Sequence, residues 1–481
     1  MYKRTKTSLL IAFTFIISLF IGFGSPSQEV QAQDKVYEIA TDTTYAPFVF
    51  QEGDDYVGID VDILDAVARD QGFEYELNPL GFNAALQGLE AKQVDGVIAG
   101  MGITEERKES FDFSDPYYEA GTVYGVEADS EYESLEDLEG EVVAIKTGTH
   151  GADVAKSMQD DYGFTTREFE DSVNMYNDVM AGNAAAAIED TPVMSYAIET
   201  GQVNFRVISE DIDQVSYGFA VQKGENAELL DMFNQGLANI KESGEYDEIV
   251  QSYVGEEAID NQQAESGILG QLSANFSNLL SGLWTTVSVT AISIVLALIL
   301  GVVLGLMRTS DNKALDLIGL VYIDIMRGIP MIVLAFFVYF GIPQLLNINL
   351  SAFQAGVITL SINAGAYIGE IIRGGINAVD VGQKEASRSL GLPQGKTMRY
   401  VILPQAVKIM VPSLINQLIM TLKDSSILSV IGLVELTQTG RIIIARTYQP
   451  GSMWLIVGAM YVILITILAK LSNYLERKWI K

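Results

Sequence analysis

Between residues 283 and 471 the chain carries five apolar runs: Leu283–Met307, Pro330–Leu346, Phe353–Ile372, Val411–Val430 and Trp454–Leu471. Each approaches the ~20 residues that a helix needs to cross a hydrocarbon core of about 30 Å. No water is available there to hydrogen-bond the backbone, so such runs fold as helices that satisfy their own N–H and C=O groups. The second half is therefore expected to be an all-α polytopic membrane domain of about five helices, with the lipid bilayer as its surroundings.

The first half has to be something different. Residues 34–260 hold 51 of the 62 acidic residues and 11 of the 30 basic ones. Such an acidic surface repels nucleic acid, which is set aside as a partner. Cysteine is absent and histidine occurs once, at His150. Disulfides, thiol catalysis, thiolate metal sites and His-cluster metal sites are thereby excluded. The chain reads as a non-enzyme with no metal and no cofactor of its own.

Lys3, Arg4 and Lys6, the apolar stretch from Leu9 to Phe23 and the small or polar residues ending in Ala32 have the layout of a secretory signal peptide, residues 1–32. An uncleaved anchor is the alternative, and either one exports the next segment of chain. From 35 to 255, short apolar runs such as "GVIAGM" (96–101), "EVVAIK" (141–146) and "AAAAIE" (184–189) alternate with helical stretches such as Asp60–Gln71 and Asn83–Lys92. That alternation predicts parallel α/β sheets, and the length suits two lobes. Crossings are expected near Gly121–Val126 and Ser216–Val221, giving lobe 1 as 35–122 plus 220–256 and lobe 2 as 123–219. The domain is set at 33–256, a polar linker at 257–274 and the membrane domain at 275–481. With the acidic domain outside, Arg308, Lys313, the six basic residues of 373–408, Arg477, Lys478 and Lys481 all fall on the inner side, and the 347–352 connection is uncharged. This predicts a multi-pass cell-membrane protein with an extracellular front domain and a cytoplasmic C-terminus.

Two groups of motifs resemble known families. "YIDIMRGIPMIVLAFFVYFGIP" (322–343), the block 363–406 and "LKDSSILSVIGLVELT" (422–437) resemble permeases of the polar amino-acid class of ABC importers. "TDTTYAPFVF" (41–50), "GIDVDILDAVA" (58–68), "GMGITEERKESFDFSDPYY" (100–118), "AIKTGTHG" (144–151) and "AAIEDTP" (186–192) resemble glutamine-type periplasmic binding proteins. The resemblance implies a two-lobed, type II binding domain of α/β class followed by a type I importer permease. It also implies a polar amino-acid ligand, with glutamine favoured over asparagine, glutamate, histidine or arginine, a homodimer of the permease domain, and a separate ABC ATPase that holds the ATP and Mg²⁺. No segment reads GxxxxGK followed by Ser or Thr, in keeping with an ATPase on another chain. An amino-acid-gated channel is the alternative from another class, but such receptors insert their membrane segments within the two-lobed domain. Here every span follows a completed one.

An amino acid presents a carboxylate, an ammonium group and a side chain, so its site needs three kinds of group. Arg107, just past a strand and the Gly102 turn, suits the carboxylate through two parallel charge-assisted hydrogen bonds; pairing with Glu105 or Glu106 is the plain alternative. Asp190 would accept from the ammonium group, or cap the helix starting near Pro192. Tyr45 and Phe82 would stack on the aliphatic stem, or be core. Thr149, His150 and the amides of the 148–151 turn suit an anion at a helix start, although a lone histidine also reads as a surface residue. Ala99 and Gly102 are counted among the ligand-binding residues as well. By the resemblance, Asp42 and Lys146 meet the ligand's side-chain end, and Glu189 stands where glutamine-type proteins carry histidine. In the membrane half the resemblance assigns Glu385, Ala386 and Gly391 to the loop that docks on the ATPase, with Ser387 departing from the motif. Lys423 and Asp424 are expected along the translocation path. Asp324–Arg327 and Glu370–Arg373, each three apart, are expected to pair on one helix face.

Overall fold

The structure, a computed structural model, describes residues 35–52, 55–254, 268–346, 348–447 and 449–480. The expected signal peptide and residues 257–267 of the expected linker lie outside the described residues.

The first lobe is built on a five-stranded sheet in which Glu74–Pro79, Val36–Thr41, Gly96–Val97, Ala220–Gln222 and Phe111–Phe113 lie side by side in that order. Its core gathers Ile39, Phe48, Ile59, Ile63, Leu64 and Phe233, the last stacked on Phe219 with ring centres 4.6 Å apart. The second lobe orders Phe205–Val207, Tyr118–Glu127, Ala186–Asp190, Val142–Lys146 and Thr165–Phe169. Tyr118–Glu127 leads the chain out of the first lobe and Ile212–Tyr217 leads it back. The ribbon joining the lobes runs over 118–122 and 212–217, a few residues ahead of the expected crossings at Gly121–Val126 and Ser216–Val221, and its two strands pair antiparallel, Tyr217 opposite Tyr118 and Ile212 opposite Thr122. This corrects the expectation of parallel sheets. Ala220–Gln222 and Tyr118–Glu127 run antiparallel to their neighbours, because strands that carry the chain between lobes enter each sheet from the opposite end.

Among the described residues four helices are long and apolar enough to cross a membrane: Phe276–Arg308, Ala352–Asn377, Gln394–Ile431 and Pro450–Lys470. The run expected as Pro330–Leu346 is not one straight helix. Lys313–Gly328 and Met331–Leu346 meet at 105°, and together they supply a fifth candidate crossing. The break falls at Ile329, which is extended (φ −86, ψ 128), because the ring of Pro330 disfavours helical geometry in the residue before it. Residues 268–274, placed in the linker by sequence, form the short helix Ile268–Ala274.

The α/β domain rests on one end of the helical one. Gly432 closes the turn Ser425–Ile431 in left-handed geometry, φ +76, and lies so close to Leu80 of the first lobe that a Cβ there would collide with it. The Leu350 N–H donates to Gln93 Oε1 at 3.3 Å. From the second lobe, Asp171 faces Arg441 at 3.9 Å, and one apolar cluster takes in Val173 and Tyr176 together with Leu436, Ile443 and Met453.

Candidate functional site

The lobes face each other across a small, partly open cavity. Nine of the eleven residues singled out for ligand capture line it: Tyr45, Phe82, Ala99, Gly102 and Arg107 from the first lobe, and Lys146, Thr149, His150 and Asp190 from the second. Gly100, Val215 and Tyr217 line it as well.

Arg107 opens helix Arg107–Ser110. Its Nη1 donates to the Gly102 carbonyl at 2.7 Å and its Nη2 crosses the cleft to the Gly148 carbonyl at 2.9 Å. The guanidinium lies 5.4 Å over the Phe82 ring. The plain alternative, a pair with Glu105 or Glu106, does not form among the described residues, and Glu105 bonds Lys108 at 2.7 Å instead. Among the described residues every hydrogen-bond acceptor of the guanidinium is a neutral carbonyl, so its charge stays available to an anion. Burial draws its pKa down, opposed chiefly by Asp153 and Asp190.

Asp190 ends the strand Ala186–Asp190 and occupies the N-cap position of helix Thr191–Glu199, yet its side chain makes no capping bond. It accepts short hydrogen bonds from the hydroxyls of Tyr45 and Tyr217. Burial raises the Asp190 carboxyl, opposed by those two hydroxyls. Both tyrosines are pushed well above their usual range, first by burial and then by Asp190.

Asp42 and Glu189 stand behind the wall. Asp42 Oδ2 takes a 2.6 Å bond from Lys146 Nζ, both side chains 2 % exposed, while its Oδ1 accepts from Thr44 N and Oγ1 at 3.0 and 2.7 Å. Burial alone would raise the Asp42 carboxyl, but the Lys146 ammonium and the Thr44 donors outweigh it and hold it below the usual range. Burial likewise opposes the Lys146 charge, and Asp42 and Glu189 overcome it, leaving its pKa raised. Glu189 turns to the Ser172 hydroxyl at 2.7 Å and is raised by burial and by Asp190, against Lys146. Lys146 also lies 4.8 Å over the Tyr45 ring, so the cavity meets one ammonium group backed by two carboxylates.

Thr149 caps helix His150–Tyr162, its hydroxyl accepting from Ala152 N at 3.3 Å and donating to the Lys146 carbonyl at 2.8 Å. That use leaves the amides of the first turn, rather than the hydroxyl, for an anion. His150 Nε2 is 3.1 Å from the Asp213 carbonyl. Asn83 Nδ2 donates across the cleft to the Thr147 carbonyl at 3.2 Å.

Sequence reasoning missed Tyr217, the second hydroxyl on Asp190. Its signal was its place in the expected hinge segment Ser216–Val221. In the helical domain Glu385, Ala386 and Gly391 are exposed around helix Val381–Ser389, with Gly391 at φ +84. Ser387, the departure from the motif, faces inward and bonds the Lys384 carbonyl and Thr397 Oγ1 at 2.9 and 3.2 Å. Lys423 and Asp424 end helix Leu403–Asp424, Lys423 exposed and Asp424 half-buried. Glu370 and Arg373 do pair. Asp324 and Arg327 do not: Arg327 lies 5.2 Å over the Tyr367 ring instead. That aromatic face, on the neighbouring helix, offers the guanidinium a partner that a pattern along one helix cannot reveal.

Two sequence families match the chain, bacterial extracellular solute-binding proteins of family 3 over residues 37–256 and the binding-protein-dependent transport system inner membrane component over 297–481. The chain is 41 % identical over 200 residues to the arginine transport system permease protein ArtQ of Bacillus subtilis, across 42 % of this chain and 91 % of that one. It is 37 % identical over 201 residues to the glutamine transport system permease protein GlnP of Escherichia coli, across 42 % of this chain and 92 % of that one. Among solved structures, substrate-binding domain 2 of Lactococcus lactis GlnP in its open conformation is 38 % identical, covering 48 % of this chain and 97 % of that one at a TM-score of 0.36. The chain belongs to the binding-protein-dependent inner-membrane transport family, with a family 3 solute-binding domain fused in front of its permease. It is a transport component and not an enzyme.

Proposed function

We propose that this chain is the substrate-binding and permease subunit of an ATP-driven importer for a polar amino acid, with glutamine as the favoured ligand. The observation that carries the reading is the pairing of opposite charges in one cavity: the carbonyl-bound guanidinium of Arg107 and the carboxylate of Asp190. A zwitterion satisfies both at once. Glutamine transport by relatives such as Escherichia coli GlnP supports the choice of ligand. So does Lys146, which a carboxamide oxygen can accept from and a cationic side chain meets unfavourably. Arginine is the second reading, favoured by ArtQ and by Glu189, the extra carboxylate behind Lys146.

In this scheme residues 33–256 capture the amino acid outside the cell by closure of the lobes, 35–122 with 220–256 against 123–219. The linker keeps the loaded domain beside the permease at an effective concentration on the order of mM. Two copies of 275–481 enclose the path, with Lys423 and Asp424 along it. The exposed Glu385–Gly391 segment docks on a partner ABC ATPase that carries ATP and Mg²⁺, and the C-terminus is cytoplasmic. Proteoliposomes holding the chain and its ATPase are expected to accumulate glutamine only when ATP is supplied; uptake without the ATPase defeats the scheme. Arg107→Ala is expected to weaken glutamine binding by about 100-fold or more, the loss of two charge-assisted hydrogen bonds. Isothermal titration measures it, and a thermal-shift panel of amino acids separates glutamine from arginine.

A further inference from the structure

Behind the first-lobe wall sits a carboxyl that the capture chemistry above does not use. Asp60 lies in the first turn of helix Ile59–Gln71 and is fully buried, 0 % exposed. Its Oδ2 accepts a 2.7 Å hydrogen bond from the Gly100 N–H, and beside it stands the Tyr117 hydroxyl. Among the described residues no Lys or Arg forms an ion pair with it. Gly100 is itself part of the cavity wall. Its φ of +55 suits glycine, and a Cβ there would collide with the Tyr45 ring. One peptide unit thus has a buried carboxyl on one side and the ligand's space on the other. A fully buried carboxyl with no cation beside it is expensive to keep for packing alone.

We propose that Asp60 is a positioning residue for capture of the ligand's ammonium group: it holds Gly100 from behind, fixes the 99–102 loop against the cavity, and sets a negative charge one peptide unit from the bound cation. The inference rests on the amino-acid reading above. The titratable group facing Asp60 is the Tyr117 hydroxyl, pushed well above its usual range by burial and then by Asp60. Beyond it, the Tyr246 hydroxyl on helix Glu245–Val254 donates to the Tyr117 carbonyl at 2.5 Å. On its own helix, Asp62 is occupied by the Tyr253 hydroxyl at 2.7 Å. Burial lifts the Asp60 carboxyl to about 7, opposed by the Gly100 N–H and Tyr117, so in the empty domain it is close to half-protonated at neutral pH. An ammonium group arriving beyond Gly100 favours the ionised form. Capture is then accompanied by release of the Asp60 proton to water, and by linkage the affinity is highest above pH 7 and falls below it.

The experiment is glutamine titration of the full chain in lipid nanodiscs from about pH 5.5 to 8.5, comparing wild type with D60N, D60L and E189Q. Asn keeps an acceptor for Gly100 and removes the titration. D60N is expected to bind about tenfold more weakly than wild type at pH 8 and to lose the fall in affinity below pH 7. D60L, lacking the acceptor as well, is expected to bind more weakly still, and E189Q is expected to keep the fall. If D60N retains the wild-type affinity and slope, or if E189Q alone abolishes the slope, the role given to Asp60 is wrong. If wild type binds no amino acid at any pH, the functional reading fails and this inference with it.

Discussion

Two ion pairs of this molecule have the same chemistry and opposite settings. Lys146 and Asp42 are 104 residues apart, come from different lobes, and meet at 2.6 Å with 2 % of each side chain exposed. Glu370 and Arg373 lie three residues apart on one helix, with 30 % and 32 % of their side chains exposed. The first pair exists only because the fold strips water from both partners, so each depends on the other to offset a large desolvation penalty. The second is held by helix geometry, with each partner only partly covered by this chain. A charge pair is worth what its surroundings make it worth.

Breaking the cross-lobe pair tests this most severely. Lys146→Met leaves the Asp42 carboxylate buried without a cation and is expected to cost ~3–5 kcal/mol. That corresponds to a fall of about 10 °C or more in the melting temperature of the binding domain, read by thermal unfolding of the full chain. Adding Asp42→Asn is expected to restore much of the loss. A single-variant cost under about 1 kcal/mol would mean that the cross-lobe pair behaves like an exposed one.

The two buried carboxylates beside Lys146 should respond to pH in opposite senses. The folded Asp42 carboxyl titrates below its unfolded value of about 3.9, so its contribution is present above that pH and is lost as acid brings the pH down through the folded value. Glu189 titrates above its unfolded value of about 4.3, so its contribution is present below that pH and is lost as pH rises through the folded value. Glu189→Gln is therefore expected to raise the melting temperature at pH 8 by about 2–4 °C and to leave it unchanged near pH 4. A loss of stability at pH 8 would show that the ionised Glu189 is needed as a partner of Lys146. The smallest effect belongs to the membrane pair. Glu370→Gln is expected to cost ~0.2–1 kcal/mol, measured by denaturation in nanodiscs, and a cost matching that of Lys146→Met would erase the contrast between the pairs.

Much of the site was legible because its residues lie at the ends of strands that the apolar runs mark out. Arg107 follows "GVIAGM", Asp190 ends "AAAAIE", and Lys146 ends "EVVAIK". These three are among the nine candidates that line the cavity. What could not be read was which way a side chain turns once there. Asp42 and Glu189 occupy strand-end positions too, yet they back Lys146 from behind the wall. Asp190 had two readings along the chain, and the hydroxyls of Tyr45 and Tyr217 drew it away from the cap. The same limit operates in the permease. Residues three apart can meet, and Glu370 and Arg373 do, but Arg327 found the Tyr367 ring on another helix.

The sequence by itself determined that long apolar helices follow an acidic α/β domain and which residue types stand at the ends of its strands. These follow from periodicity, apolar length and charge, all properties of neighbouring residues. Only the tertiary structure decided that Tyr217 would join Tyr45 on Asp190, that Asp60 would stand behind Gly100, and that Gly432 of the permease would lie against Leu80. Those contacts join residues 27, 40 and several hundred positions apart. Each depends on which groups lose their water together, and that is settled when the lobes and helices pack.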